Sequence, residues 1–341
     1  MIAFAPRRPS PTPVFDTYWR FATERQRIFH LKAAGQGPPW TSDAILTAHR
    51  FTNAYRAADR VSQFLINRVI PGSLRDPIDA VFRTLLFKVF NRVSTWQCLE
   101  QEIGELHVST FDAERLTDVL SGARALGQQI YSAAYIMPMP HEPAARTKHE
   151  AHLLLLARLL TNGTLERLCE SPTLQQSYEL LLAVPSFGPF LAFQYAIDIN
   201  YAPVVDHSEM EFVVAGPGAR SGINKCFADV DGLTYEDVIR YTCDRADIEF
   251  SSRDLQFSDL WGRPLQLIDC QNLFCEVDKY ARVAHPEFTP AGHRTRIKQR
   301  YSPDPKGMSF GFPPKWGLSI PESAKCDAAL SLRGLLAAST Q

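Results

Sequence analysis

Apolar residues return every three or four positions along most of the chain and strict alternation is nearly absent, so the pattern predicts an all-α, multi-helix fold. A first helix is expected over residues 16–34, capped by Asp16, with Tyr18, Phe21, Arg25, Phe29 and Lys32 recurring on one face. The Gly- and Pro-rich stretch 35–40 stops it. A second helix is expected from Asp43 through Leu46, Phe51 and Tyr55 to Leu65, which would set Arg50, Asn53, Arg56, Asp59 and Arg60 three or four apart. Such a row reads first as a salt-bridged, solvated face, and otherwise as a stripe that contacts phosphates. Further helices are expected over 77–91, apolar on most sides and hence interior, and over 94–103, 113–137, 148–160, 165–169 and 174–183. Only Phe212-Val213-Val214 leans towards a strand.

The chain is organised around residues 177–227. A helix runs to 183, Val184-Pro185-Ser186-Phe187-Gly188 makes a tight hairpin, and Pro189 opens a second helix to about 199, a position where its missing N–H costs nothing. The free amides and positive dipole end of that second helix form a natural anion site, and Gly188 leaves room for a phosphate to approach. Val184, Phe187, Gly188 and Phe190 are therefore candidate DNA contacts, alongside Arg50, Arg56 and Arg60. The spacing of Leu181, Val184, Pro185, Gly188 and Ala192 resembles the hairpin of the helix-hairpin-helix DNA glycosylases, a superfamily in which an aspartate follows the hairpin; Asp206 stands near that place. The other reading is an ordinary helical turn inside a core. Beyond it come a glycine-rich loop at 215–220, a helix over 221–227, a helix over 234–246 with Thr234 and Asp237 in a capping box, and a helix over 264–283.

Composition narrows the picture. With 341 residues, 45% hydrophobic and 21% charged, the chain can bury a sizeable core, and a formal net charge of -1 means that nucleic-acid binding must come from local positive patches. Seven cysteines without a C-x-x-C pair or a suitably spaced His predict reduced, mostly buried thiols and no metal site. No apolar run is long enough for a bilayer. Residues 1–14, broken by prolines, read as a flexible leader, 15–300 as one helical domain, in one lobe or two, and 301–341 as an appendage ending in a short helix. An intracellular protein is expected, nuclear in a eukaryote and cytoplasmic otherwise.

Chemistry is expected in two places. Asp198, Asp206, Glu209 and Glu211 lie near Arg220, so that Asp206 or Glu211 could act as general base or as partner to a sugar cation, while Arg220 and the amides of Gly216 and Gly218 hold a phosphate. The plainer reading has Asp198 and Asp206 capping helices and Glu209 solvated. The second place is one face of the late helix, where Gln271, Asn272, Glu276, Lys279 and Arg282 line up beside Cys275, itself read as a buried thiol. No phosphate-binding P-loop, dinucleotide fingerprint, nucleophile elbow or H-E-x-x-H occurs, and no cofactor is expected.

Several separated stretches, WRFATERQRIF, PPWTSDAIL, RFTNAYRAADRVSQFLI, the hairpin, EFVVAGPGARSGINKCF and DCQNLFCEVDKYAR, together resemble the helical domain beside the kinase in phage 5-hydroxymethyl-deoxyuridine DNA kinases. That family is also similar to the α-glutamyl/putrescinyl thymine pyrophosphorylases. The resemblance implies a fold related to the helix-hairpin-helix glycosylases and duplex DNA as partner, with a thymine-type base such as 5-hydroxymethyluracil presented to a pocket. It also leaves a small-molecule co-substrate or a separate kinase open as further partners. No kinase motif accompanies these stretches in this sequence, so phosphorylation of the base does not carry over. Three functions follow: group transfer to an activated thymine derivative in DNA, removal of a modified base by a glycosylase with Asp206 as its essential carboxylate, and DNA binding without catalysis.

Overall fold

The computed structural model describes residues 8–73, 76–135, 137–289, 292, 294–302 and 310–325. The expected final helix within 326–341, the leader up to residue 7, and Cys326 lie outside them. The chain divides into two compact units. The first is built from the described residues within Met1–Asp59, Val213–Gly311 and Leu318–Gln341, and the second from those within Arg60–Phe212 and Phe312–Gly317.

In chain order, the first unit begins with the short strand β1 (Ser10–Pro11), α1 (Pro13–Ala33) and α2 (Ala44–Ala48). The second contributes α3 (Arg60–Phe64), α4 (Pro77–Phe90), α5 (Val93–Ile103), α6 (Ala113–Ala125), α7 (Lys148–Thr161), α8 (Thr164–Cys169), α9 (Leu174–Leu182) and α10 (Pro189–Ile199). The first unit resumes with α11 (Pro217–Cys226), β2 (Phe227–Asp229), α12 (Tyr235–Asp244), α13 (Ala246–Ser252) and α14 (Leu267–Ala284). The all-α reading holds. β1 and β2 pair antiparallel and form the one sheet among the described residues. Phe212-Val213-Val214 makes no strand.

In the first unit α14 is the hub, packed against α11, α1, α12 and α2. The α1 cap is Thr12, whose hydroxyl accepts the Val14 amide with Pro13 at the first helical position, so the helix starts earlier than an Asp16 cap would allow. Its buried stripe includes Tyr18, Trp19, Phe21, Ala22 and Phe29. In the second unit α4 plays the interior part expected of it, with every residue from Ala80 to Phe90 buried.

Three further expected helices end or begin elsewhere. The helix expected to reach Met137 stops at Ala125, because Gly127 enters the left-handed region (φ 80°) and its amide and that of Gln128 turn back onto Arg124 and Ala123. The glycine-rich segment at 215–220 is mostly helix: Gly216 is the N-cap of α11 and Pro217 opens it. Glycine serves contact here, since a Cβ at Gly222 would sit 2.0 Å from the Phe274 carbonyl oxygen and one at Gly218 3.0 Å from Cys275 Sγ. The third correction concerns the helix expected over 43–65, which lasts only through Ala48.

Among the described residues no helix is long and apolar enough to cross a membrane, no cysteines are bridged, and no three His, Cys, Asp or Glu gather as a metal site.

Candidate functional site

Residues 49–59 leave the helical path because the rest of the first unit claims their backbone. Glu276 Oε2 accepts the Thr52 amide at 2.9 Å, Asp269 Oδ1 accepts the Arg56 amide at 2.9 Å, and Asp59 Oδ1 accepts the Asn53 amide at 2.8 Å. Arg25 of α1 donates Nε to the Thr52 carbonyl at 2.9 Å and Nη2 to Asn53 Oδ1 at 2.8 Å. Asn272 donates to Thr52 Oγ1 at 3.1 Å, and Lys279 holds Glu276 at 2.7 Å with its ammonium over the Phe51 ring. The α14 face and the 50–59 segment therefore do meet, as a closed polar cluster. Burial raises the Asp59 carboxyl to about 7; the Glu276 charge adds to this, while the Asn53 amide, Arg25 and Arg56 oppose it.

The expected sets do not otherwise form single rows. Arg56 is buried and Arg50 exposed, both in the first unit, and Arg60 opens α3 in the second, so they share no helix face. Gln271 is buried and donates to Cys275 Sγ, whose thiol burial pushes up, with Glu276 and Asp278 adding to the effect. Arg282 pairs with Asp278, which also binds Ser221 and the buried Lys225. Burial would raise the Asp278 carboxyl, but those three donors outweigh it and hold it below the usual range. These groups lock α11 onto α14.

The groups just before the first turn of α11 are already partly engaged. Glu236 already accepts the Ala215 amide at 2.8 Å, and exposed Arg220 folds back to the Ala215 carbonyl at 3.0 Å with its guanidinium over Tyr235. Arg220 belongs to the first unit and Asp206 and Glu211 to the second.

In the second unit the hairpin forms where expected, between α9 and α10. Pro185, Gly188 and Pro189 are exposed, whereas Val184 and Phe187 are buried, with Phe187 stacked on Tyr195 at 4.7 Å. Both were expected to touch DNA; their side chains belong to the core, and the turn itself is what faces out. Ser186 supplies the left-handed residue (φ 74°), so Gly188 (φ -77°) is not required by the backbone. A Cβ there would meet nothing within 4 Å, and no side chain caps α10. Half-buried Phe190 stacks on Tyr135 at 5.8 Å.

The chain leaving α10 is held more firmly than a surface loop requires. Buried Asn200 imitates a backbone neighbour for His207, accepting its amide at 2.9 Å and donating to its carbonyl at 3.0 Å, with Glu209 on the same amide group at 3.4 Å. The His207 Nε2–H donates to the Ser171 carbonyl at 2.7 Å. Burial, aided by Lys315 and opposed by the Ser171 carbonyl and the Asp206 and Glu211 carboxylates, lowers the imidazole below its usual range, so that it stays neutral with Nδ1 as a buried lone pair. Between these tethers the Asp206 side chain stands 80% exposed, 3.6 Å from Lys315 Nζ. Glu211 is exposed; Asp198 is buried against Lys88 at 2.8 Å rather than gathered with the other acids.

A family model described as the helical domain of 5-hmdU DNA kinase matches residues 12–290. The chain belongs to that family. A 5-hmdU DNA kinase of Bacillus phage SP10 is 24% identical over 291 residues, a match that covers 78% of this chain and 45% of the relative, so the chain spans about half the length of the curated relative it matches. No solved structure matches. Within this helical-domain chain, motif reading missed three residues that organise the candidate sites. Arg25 stood on the apolar stripe of α1, where a charged residue was the available signal; Lys315 stood in the apolar segment Phe312-Pro313-Pro314-Lys315-Trp316; Asn200 carried no signal at all.

Proposed function

We propose that this chain acts in thymine hypermodification by gripping duplex DNA at the hairpin and presenting a modified thymine, of the 5-hydroxymethyluracil type, to the Asp206 loop. The carrying observation is Gly188, an exposed glycine that neither backbone conformation nor internal packing demands, at the N-cap of a helix whose first amides no side chain caps. A phosphate there would accept those amides, and the exposed carboxylate follows one helix later. Family membership and the relative's name supply the substrate class. The reaction class that fits is group transfer to an activated 5-hydroxymethyluracil, with the co-substrate or a separate kinase as partner. In a mobility-shift titration, a duplex with one 5-hydroxymethyluracil should bind more tightly than its thymine counterpart. Gly188→Glu should weaken both by about tenfold or more, because it sets an anion where the phosphate would lie. Equal binding of both duplexes by the unaltered chain would defeat the proposal.

A second reading, a glycosylase, draws on the same exposed carboxylate, which would face a sugar cation. It requires free modified base to appear during incubation and to vanish with Asp206→Asn.

A further inference from the structure

The segment Phe312–Gly317 returns to the second unit about a hundred residues after the Asp206 loop and delivers one ammonium into it. Lys315 Nζ donates to Asn200 Oδ1 at 3.3 Å, to the Ala202 carbonyl at 3.4 Å and to the Val205 carbonyl, and its side chain is only 14% exposed. An ammonium has protons enough to serve several acceptors at once, as this one does. The segment is anchored by Trp316, edge-on to Tyr201 at 5.8 Å and stacked on Phe312 at 6.1 Å. Lys315 thus gathers the Ala202 and Val205 carbonyls of the loop that leaves α10. A hydrogen-bonding amide could meet those acceptors too. What only a cation adds is the Coulomb attraction to Asp206 Oδ1, 3.6 Å away.

We propose that Lys315 is a positioning residue for Asp206: its charge, fixed by the Ala202 and Val205 carbonyls, sets the orientation in which the carboxylate meets the modified base. This deepens the function proposed above and rests on it. Asn200 joins the two halves of the device, since the same Oδ1 accepts from Lys315 and from the His207 amide. The carboxylate is therefore aimed from both flanks, by the ammonium beside it and by the clamped residue after it.

The test is a double-mutant cycle read on discrimination, the ratio of affinities of the full chain for the 5-hydroxymethyluracil duplex and the thymine duplex. Asp206→Asn and Lys315→Met should each lower the ratio by about tenfold, and the double variant should lose no more than either alone, the signature of one shared interaction. Lys315→Gln keeps two N–H donors for the carbonyls and drops the charge, so it tests the same point if Lys315→Met fails to fold. Discrimination should fall in Lys315→Gln while its melting temperature stays near that of the unaltered chain. A ratio unchanged in Lys315→Gln, with Asp206→Asn still losing it, or losses that simply add, would overturn the role of Lys315 and leave the proposed function standing. A ratio insensitive to Asp206→Asn, or an unaltered chain without preference, would remove both.

Discussion

Asp59 carries a charge that works against the fold. Its carboxyl titrates near 7 in the folded chain, well above the usual carboxylate range, mainly because it is enclosed, with Glu276 as a like-charged neighbour. A raised acid binds its proton more tightly folded than unfolded, so stability falls as pH rises from about 4 to about 7 and stays lower above that. Asp59→Asn keeps an oxygen for the Asn53 amide and removes the titration. Thermal unfolding should find it close to neutral at pH 4 and stabilising at pH 8, by on the order of 1 kcal/mol since part of the residue reaches solvent. An equal effect at both pH values would show that the carboxyl does not titrate in this way. Asp59 also shows what one-dimensional reading misses: Phe51 and Tyr55 satisfied helical spacing, but the Thr52 amide is held by Glu276, 224 positions away.

At the scale of elements, two glycines that look alike in the sequence have opposite duties. Gly222 lets α11 lie against α14, and Gly222→Ala would drive a Cβ into the Phe274 carbonyl, costing on the order of 3 kcal/mol or preventing folding. Gly188→Ala meets nothing and should change stability by no more than about 0.5 kcal/mol in a denaturant titration. The reverse ranking would contradict the packing. The hairpin was legible because its cues are local: an apolar pair, a proline at the first helical position and a glycine at the cap. Gly216 and Gly218 were read as loop because glycine weakens helices on its own account. The reason for glycine at Gly218 and Gly222 lies on α14, and no spacing within α11 discloses it.

For the molecule as a whole, a net charge of -1 bounds how DNA can be held. A grip limited to the hairpin and a few surface cations neutralises few phosphates, so the slope of log affinity against log salt should be shallow, roughly -2 to -4, at about -0.9 for each phosphate contact. A slope near -10 in a fluorescence-anisotropy series would demand a broad basic surface that this charge balance does not provide. The helical class was readable throughout, since it rests on periodicity. The return of Phe312–Gly317 to the second unit was not, because six residues with two prolines announce no partner.

The first unit is also discontinuous, and this bears on synthesis. Tyr18 of α1 bonds to the Cys270 carbonyl, 252 positions later, and the α1 stripe closes against α14. A ribosome adding ~5–20 residues per second exposes that stripe on the nascent chain for on the order of 10–50 s before its partner emerges. Meanwhile the intervening stretch from Arg60 to Phe212 is translated in full and can condense first. An oily helix left waiting for so long is a natural client for a chaperone.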